Sequence, residues 1–368
     1  MAQESTDTST KTKRPSDSAF KQQRLPAWQP ILTAGTVLPT FFVIGIAFIP
    51  VGIGLLYFSD EVKEISIDYT NCTQYNIVNH TNFTDTRIPC VDIITKNPDA
   101  NCTCRLAFKL DTHFIGKVYM YYGLSNYYQN HRRYVKSRDD SQLLGHLSEL
   151  PSSDCVPFAI ISDNTTGTKV PIAPCGAIAN SLFSDEMSLY SLQHTKDVPL
   201  LRTGIAWPSD KQIKFRNPPG DLKDAFKDFA KPIRWKKNVY ELDPDDESNN
   251  GFQNEDLIVW MRTAALPTFR KLYRRVDHTK QGFGDGLSSG DYILYVNYRY
   301  SVNAFDGTKR MILSTTSLLG GKNPFLGIAY IVVGCVCLLL GIALLFIHIK
   351  CSRSTSEMIN VNPRTPYQ

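Results

Sequence analysis

Two long runs without charged residues divide this sequence, one near each end. The second covers residues 325–349, between Lys322 and Lys350, and the first is most apolar at residues 36–58. About 20 apolar residues in a helix span the ~30 Å hydrocarbon core of a bilayer, so each run predicts a membrane-spanning helix. The intervening residues 60–322 must then lie on one side of the membrane.

The segment between the two runs alternates apolar and polar residues with the period of two that β-strands show. The clearest examples are residues 292–302 and 106–110. Short strands with Pro- and Gly-rich connections are typical of an antiparallel β-sandwich, here with a few short helices. The remaining predicted strands are 64–70, 117–124, 213–217, 257–262, 269–276 and 311–317. The predicted helices are 222–229 and 176–192.

The charges around the first run indicate the topology. Basic residues outnumber acidic ones before it, whereas Asp60, Glu61, Glu64 and Asp68 follow it closely. The positive-inside rule therefore places the N-terminus in the cytosol, and two spans return the C-terminus there. The run is too long for the apolar region of a signal peptide, so we expect a retained anchor.

This topology predicts five segments along the chain. We expect a cytosolic tail at 1–30, membrane helices at 31–58 and 325–349, a lumenal or extracellular domain at 59–324, and a second cytosolic tail at 350–368. The net charge is +5, but acidic and basic residues nearly balance within the large domain. That balance argues against a nucleic-acid partner.

Most of the nine cysteines lie in the large domain. An even set in an oxidising compartment predicts disulfides. Zinc is the alternative, but one residue separates Cys102 from Cys104, and no histidine completes a finger spacing. The set is Cys72, Cys90, Cys102, Cys104, Cys155 and Cys175. Cys335 and Cys337 fall in the second apolar run, and Cys351 at its cytosolic edge is a candidate for palmitoylation.

Five Asn-x-Ser/Thr sequons lie in the same domain and predict N-glycosylation of an exposed surface. They begin at Asn71, Asn79, Asn82, Asn101 and Asn164. Asn71 and Asn101 each precede a cysteine. Disulfide formation would therefore compete with glycosylation at these two positions.

Glycines recur at seven-residue spacing in both apolar runs. They are Gly45 and Gly52 in the first run, and Gly327, Gly334 and Gly341 in the second. Heptad spacing keeps them on one helix face, where missing side chains let another helix approach closely. The partner of this face is the other span or a helix of another protein. The competing interpretation is that membrane helices simply tolerate glycine.

The candidate catalytic and metal-binding motifs do not build a site. Residues 286–290 match the G-x-S-x-G string of hydrolases, but that mechanism needs a helix after the serine, and here a strand follows. Residues 243–247 resemble a calcium loop, but Ser248 replaces the required Gly and Asn254 the required Glu. The charged run 131–140 is a solvated face or an ion-paired docking surface. We therefore expect no catalytic residue and no cofactor.

Several long blocks of this sequence carry a family resemblance. They are KQQRLPAWQPILTAGTVLP, YYGLSNYYQNHRRYVKSRDDSQL, PIAPCGAIANSLF, KFRNPP, NEDLIVWMRTAALPTFRKLYR and GGKNPFLGIAY. The blocks closely resemble the cell division control protein 50 family, also called transmembrane protein 30. Members are accessory β subunits of type IV P-type ATPases, the phospholipid flippases.

The resemblance implies a heterodimer with such an ATPase in the endoplasmic reticulum, Golgi, secretory vesicles and plasma membrane. This chain would escort the enzyme out of the endoplasmic reticulum and support phospholipid transport from the outer to the cytosolic leaflet. ATP hydrolysis would belong to the partner. Two departures from the family pattern are Pro208, which follows Trp207 where relatives often have a second Trp, and Arg299, which removes a sequon at Asn297.

The resemblance also implies a disulfide pairing. The implied bonds are Cys72–Cys104, Cys90–Cys102 and Cys155–Cys175, and the alternative is the crossed pairing Cys72–Cys102 with Cys90–Cys104. Other classes of protein share the predicted topology, namely a two-span ligand-gated channel subunit and a cell-surface receptor. A channel would need a polar stripe along a pore-lining helix, which neither run shows.

Overall fold

The computed structural model describes residues 16–25, 33–79, 82–162, 168–317 and 320–351. The described residues form two compact units: those up to residue 55 together with those from residue 325 onward, and those between residues 56 and 324.

The first unit is built on two long apolar helices, α1 (Ala34–Glu61) and α9 (Pro324–Cys351). Both are long and apolar enough to cross a membrane. Their bounds differ by a few residues from the predicted 31–58 and 325–349, because polar residues extend α1 beyond its apolar part. Helix α1 continues through Pro39 and Pro50.

The second unit is mainly β and contains two larger antiparallel sheets. The five-stranded sheet has the order β1-β15-β6-β12-β11, and the four-stranded sheet has the order β10-β9-β14-β4. The strands are β1 Glu64–Asp68, β2 Thr73–Asn79, β3 Asn82–Pro89, β4 Cys102–Leu110, β5 Phe114–Ile115, β6 Val118–Leu124, β7 Ile160–Ser162, β8 Lys169–Pro171, β9 Glu186–Ser191, β10 Lys196–Asp197, β11 Leu200–Leu201, β12 Phe269–Val276, β13 Gly286–Leu287, β14 Gly290–Tyr298 and β15 Lys309–Thr315. The predicted fold class, two apolar helices flanking a mainly-β region, is confirmed.

Short helices occupy the connections between strands. They are α2 Cys90–Lys96, α3 Arg132–Lys136, α4 Asp140–Leu143, α5 Ala177–Asn180, α6 Pro208–Ile213, α7 Leu222–Ala225 and α8 Glu255–Met261. Single 3-10 turns add Ser153–Cys155, Val239–Glu241, Glu247–Asn249, Gly251–Gln253 and Asn303–Phe305.

Register places the ends of the large unit side by side. The first strand, β1, pairs antiparallel with the last, β15, so that Glu64 lies opposite Ser314 and Asp68 opposite Arg310. Strand β14 pairs with β4 along its whole length. The four-stranded sheet therefore rests on the alternation that the sequence showed at residues 292–302.

The core of the β-rich unit is rich in aromatic side chains. Tyr122 of β6 stacks on Phe183, with ring centroids 4.0 Å apart. The same tyrosine ring lies 6.4 Å from Trp260 of α8. Trp260 is fully buried and donates its indole N–H to the carbonyl of Ile178 at 2.8 Å. Large aromatic rings thus fill this interior, and the indole N–H of Trp260 has a hydrogen-bond partner there.

Three predicted elements are wrong. Residues 257–262 form helix α8 and not a strand, because the Asn254 side chain accepts a hydrogen bond from the N–H of Leu257 and starts a helix. Of residues 213–217, Ile213 ends helix α6, which Pro208 begins at its first turn, and the residues after it form no strand. Residues 176–192 contain the short α5 and then β9, whose buried residues alternate. The predicted helix 222–229 is confirmed only for Leu222–Ala225.

Candidate functional site

The glycines of heptad spacing bring α1 and α9 together. Gly45, Gly52, Gly327, Gly334 and Gly341 are all buried. Ser59, seven positions after Gly52, is the sole other buried residue among those of α1 and α9 whose exposure the structure describes. We call these five glycines the glycine seam.

Backbone contact explains why the seam needs glycine. A Cβ on Gly52 would lie 2.8 Å from the carbonyl oxygen of Gly327 and 2.7 Å from the Ile331 side chain. A Cβ on Gly334 would lie 2.8 Å from Ile49. Gly341 is less tightly enclosed, since the nearest atom to its Cβ position, on Phe42, is 3.3 Å away. The structure thus favours the other span as the partner of the glycine face.

Two disulfides cluster at one edge of the four-stranded sheet. Cys72 bonds Cys104 with a Cα–Cα distance of 5.9 Å, and Cys90 bonds Cys102 at 5.6 Å. The sulfur atoms of Cys90 and Cys104 are 3.4 Å apart, so the two bonds contact each other. The structure therefore has the nested pairing that the resemblance implies, and these sulfurs are held in disulfides instead of a metal site.

The third disulfide, Cys155–Cys175, lies in a separate small core. Its Cα–Cα distance is 5.7 Å. Both cysteines are buried with Ala159 and Ile172. This bond fixes the segment before α5 next to the 3-10 turn at Ser153–Cys155.

The predicted modification sites fall in different surroundings. Asn71 and Asn101 are exposed and adjoin the disulfide cluster. Asn79 and Asn82 are opposite each other at the turn between β2 and β3. Asn164 lies outside the described residues. Cys351 is the last residue of α9, and its side chain is not among those described.

The serine of the G-x-S-x-G string lies between β13 and β14. Its hydroxyl is 3.3 Å from Nε2 of His194 and donates to Gln193 at 2.9 Å. A strand, not a helix, follows Ser288, and no carboxylate among the described residues accepts a hydrogen bond from His194. The contact therefore lacks the orienting acid and the strand–turn–helix geometry of a hydrolase.

The acidic turn 243–247 uses its carboxylates to order its own loop. Asp243 is buried, accepts from Asn249 at 2.6 Å and lies 3.7 Å from Arg202. Asp246 caps the next turn, and the hydrogen bond from Ser248 lowers the pKa of its carboxyl. The charged run 131–140 likewise contains α3 and an exposed Arg138–Asp140 pair at 2.9 Å.

The two departures from the family pattern have structural counterparts. Trp207 is exposed, and the guanidinium of Arg262 lies 4.0 Å from its ring centre. Arg299 forms an ion pair with Glu186 at 2.8 Å. Arg299, the residue after β14, thus ties the end of that strand to the start of β9.

A cleft of about 1110 Å³ in the β-rich unit is the feature that the sequence analysis missed. Its lining includes the aromatic rings of Tyr122, Phe183, Tyr273 and Tyr300, which we call the aromatic floor. One rim is the segment Lys231-Pro232-Ile233-Arg234-Trp235-Lys236-Lys237, which we call the basic strap. The local signal for it is four cations in seven residues around one tryptophan, with no acidic residue among them.

A fully buried ion pair adjoins the cleft, because its carboxylate residue, Asp185, also lines it. Nζ of Lys309 donates to Asp185 at 2.6 Å, and neither side chain is exposed. The other carboxylate oxygen of Asp185 accepts from the N–H groups of Arg299 and Tyr300, both at 2.6 Å. Burial lowers the pKa of Lys309 to about 8 against the opposing effect of Asp185. This pair links β15, β14 and the start of β9.

A second network includes Arg202, Asp256 and Arg274, which also line the cleft. Arg274 donates to Asp256 at 2.6 Å, and Arg202 lies 3.3 Å from the same carboxylate. Glu255 accepts from the N–H of Ile205 at 2.7 Å and from Lys211 at 3.1 Å. Burial raises the pKa of Glu255, but these donors hold it below its usual value.

Comparison with known proteins shows the family of this chain. The family model described as LEM3 (ligand-effect modulator 3) family / CDC50 family matches residues 55–354. The chain is 55% identical over 355 residues to Cell cycle control protein 50A of Mus musculus. The aligned region covers 94% of this chain and 92% of the relative. It is 42% identical to Cell cycle control protein 50C of Mus musculus, over 92% of this chain and 95% of the relative. It is 41% identical to ALA-interacting subunit 3 of Arabidopsis thaliana, over 92% and 87%.

Proposed function

Because this chain belongs to the LEM3/CDC50 family, we propose that it is the accessory subunit of a type IV P-type ATPase that moves phospholipids from the outer to the cytosolic leaflet. The chain supports the exit of that enzyme from the endoplasmic reticulum and its transport cycle. The partner ATPase carries the phosphorylation and ATP-hydrolysis chemistry, and this chain carries none.

The observation that carries the proposal is the family match over residues 55–354, which takes in the β-rich unit and α9. One relative is named as an interacting subunit. This match favours an accessory subunit over the ligand-gated channel and the cell-surface receptor.

The proposed topology follows from α1 and α9. We assign residues 1–30 and 350–368 to the cytosol and residues 59–324 to the lumen or the cell exterior. Asn71 and Asn101 are exposed, which supports glycosylation on that side. The chain would then follow the secretory route from endoplasmic reticulum to Golgi, vesicles and plasma membrane.

The partner ATPase contacts the faces of α1 and α9 that the glycine seam leaves free. Since the seam faces the other helix of this chain, it is not available to a second protein. Large apolar side chains elsewhere on the helices are exposed, among them Val43, Leu339 and Phe346. Such side chains contact lipid or another membrane helix.

Coexpression with a type IV P-type ATPase tests the proposal. The ATPase should leave the endoplasmic reticulum, copurify with this chain and raise uptake of a labelled phospholipid, whereas this chain reconstituted alone should move no lipid. Endoglycosidase treatment of the purified complex should lower the apparent mass of this chain. An unrelated two-span membrane protein serves as the control.

Lipid transport by this chain alone would overturn the division of labour. Failure to copurify with any type IV P-type ATPase would overturn the proposed function. Unchanged mobility after endoglycosidase treatment would contradict the proposed topology.

A further inference from the structure

The cleft in the β-rich unit carries an excess of unpaired positive charge at its rim. Lys231, Arg234, Lys236 and Lys237 of the basic strap form no ion pair with any carboxylate in the described part of the chain. Nζ of Lys231 and of Lys236 donates to the backbone carbonyls of Lys236 and Asp99, at 2.8 and 3.5 Å. Arg234, Lys236 and Lys237 are exposed.

The acidic residues of the cleft are mostly neutralised by other cations. Asp185 pairs with Lys309, and Glu186 with Arg299. Asp256 pairs with Arg274 and Arg202. Asp99 is the one lining carboxylate without an ion pair among the described residues. The four strap cations therefore give the rim a net positive charge.

The basic strap is held in place before any ligand arrives. The indole N–H of Trp235 donates to the carbonyl of Ala179 at 2.7 Å, and Trp235 is buried. The N–H of Arg234 donates to the side chain of Asn180 at 3.2 Å. Because the backbone is fixed at both points, a ligand need not order the strap when it binds.

The floor of the cleft is apolar and aromatic. Phe183 stacks on Tyr122, and its ring centroid lies 5.4 Å from that of Tyr300. Ile233 stands between the strap cations, lines the cleft and is 59% exposed. A volume of about 1110 Å³ exceeds that of most small-molecule pockets. An apolar floor below a cationic rim suits a ligand that has an anionic group joined to an apolar body.

We propose that this cleft binds a phosphate-bearing amphiphile, with the phosphate on the basic strap and the apolar part against the aromatic floor. Lysine and arginine donate charge-assisted hydrogen bonds to phosphate oxygens. The proposal rests on the proposed function only for its choice of a phospholipid as the phosphate source. The binding itself requires no ATPase partner.

Direct titration of the full-length chain tests this proposal. The chain is placed in nanodiscs of neutral phosphatidylcholine and titrated with dihexanoyl phosphatidic acid, which is soluble, with binding followed by calorimetry. Dihexanoyl phosphatidylcholine, glycerol 3-phosphate and inorganic phosphate are the comparison probes. We expect at least tenfold tighter binding of dihexanoyl phosphatidic acid than of any of the three.

Charge-neutralising variants locate the site. The strap variant changes Lys231, Arg234, Lys236 and Lys237 to Gln and should weaken binding of dihexanoyl phosphatidic acid at least tenfold. The matched control changes Lys117, Arg132, Lys223 and Lys227 to Gln; these residues are also exposed cations and lie outside the cleft. The control should bind like the wild-type chain.

Two smaller variants keep the test decisive if the strap variant misfolds. Lys236→Gln with Lys237→Gln should weaken binding of dihexanoyl phosphatidic acid severalfold. Ile233→Asn should weaken binding of dihexanoyl phosphatidic acid and leave the affinity for inorganic phosphate unchanged. Equal binding by strap and control variants would overturn the proposal. Equal affinity for inorganic phosphate would reduce the cleft to a simple anion site and also overturn it.

Two further outcomes separate this inference from the proposed function. In the first, the wild-type chain binds no amphiphile, and the strap variant no longer copurifies with the ATPase. That result would overturn this inference and indicate that an acidic protein segment occupies the cleft. Full ATPase recovery and lipid uptake together with absent amphiphile binding would overturn this inference and leave the proposed function intact.

Discussion

The helix pair and the β-rich unit achieve close packing by opposite means. Between α1 and α9, side chains are absent at the contact, and the Gly52 Cα faces the Gly327 carbonyl across the glycine seam. In the core of the β-rich unit, large rings such as Tyr122 and Trp260 fill the space. The helices pack closely because the contact residues have no side chain, whereas the β-rich unit packs closely because its core side chains are large.

The difference follows from the surroundings of each region. Lipid chains are as apolar as leucine, so burying a large side chain between membrane helices gains little, and close backbone approach gains dispersion contacts. In water, each buried aromatic ring removes a large apolar area and gains hydrophobic free energy. The same substitution should therefore have different consequences in the two regions.

The largest expected effect concerns the buried ion pair of the β-rich unit. Lys309→Met should lower the free energy of unfolding by about 3–5 kcal/mol, because it leaves the carboxylate of Asp185 buried without its cation. Urea unfolding of the detergent-purified chain, followed by tryptophan fluorescence, measures the change.

The control for this prediction is Lys309→Met combined with Asp185→Asn. The amide oxygen can still accept from the N–H groups of Arg299 and Tyr300, and the buried charge is gone. We expect more than half of the lost stability to return. A double variant as unstable as the single one would show that the ion pair itself is not the source of the loss.

The glycine seam should be broken by added atoms. Gly52→Leu introduces side-chain atoms where backbone lies 2.8 Å from the Cβ position, and overpacking of this kind costs about 1–3 kcal/mol. Cross-linking between cysteines at Phe48 and Tyr330, whose rings are 4.9 Å apart, should fall severalfold. Cys335 and Cys337 are replaced by serine for this measurement.

Gly54→Leu is the matched control, because no atom lies within 4 Å of its Cβ position. It adds the same side chain to the same helix and should leave cross-linking unchanged. Equal cross-linking in the Gly52 and Gly54 variants would mean that the seam does not hold the helices together.

The smallest predicted effect is the pH dependence of Lys271. Its Nζ donates to the carbonyls of Val259, Trp260 and Arg262 at 2.6–3.0 Å, at the C-terminal end of α8. Burial lowers the pKa of Lys271 to about 7. Above that pH the unfolded chain binds more protons than the folded one, so stability should rise with pH from about 7 towards the ordinary lysine pKa.

Lys271→Met should remove this contribution. The slope of unfolding free energy against pH between 7 and 8 should fall by up to about 1.4 kcal/mol per pH unit. Lys223→Met, at an exposed lysine, should keep the wild-type slope. An unchanged slope in the Lys271 variant would show that Lys271 does not titrate in this range.

The sequence predicted those elements whose apolar pattern is distinctive over a short stretch of the chain. Strand β4 contains the alternating run 106–110, β14 contains most of the run 292–302, and α1 and α9 are continuously apolar, so both kinds of pattern can be recognised locally. Residues 257–262 were misassigned because a short apolar run fits a buried strand or a buried helix equally well. The glycine face was predictable from spacing, but not the identity of its partner.

The cleft could not be predicted, because its walls come from distant parts of the chain. Asp185 and Lys309 are separated by 124 residues, and neither has a local pattern that marks it as buried. The basic strap was visible as composition only. Its relation to the rings of Tyr122 and Phe183 exists only after the sheets pack.

The pairing of β1 with β15 has a consequence for biosynthesis. Asp68 lies opposite Arg310, so the ribosome must synthesise about 240 residues after β1 before its pairing partner β15 exists. At about 5–20 residues per second, the first strand waits tens of seconds for its partner. During that time its edge and the apolar core are open, and closure of such non-local pairs is slow. The lifetime of the nascent chain, more than its final stability, therefore sets its exposure to aggregation.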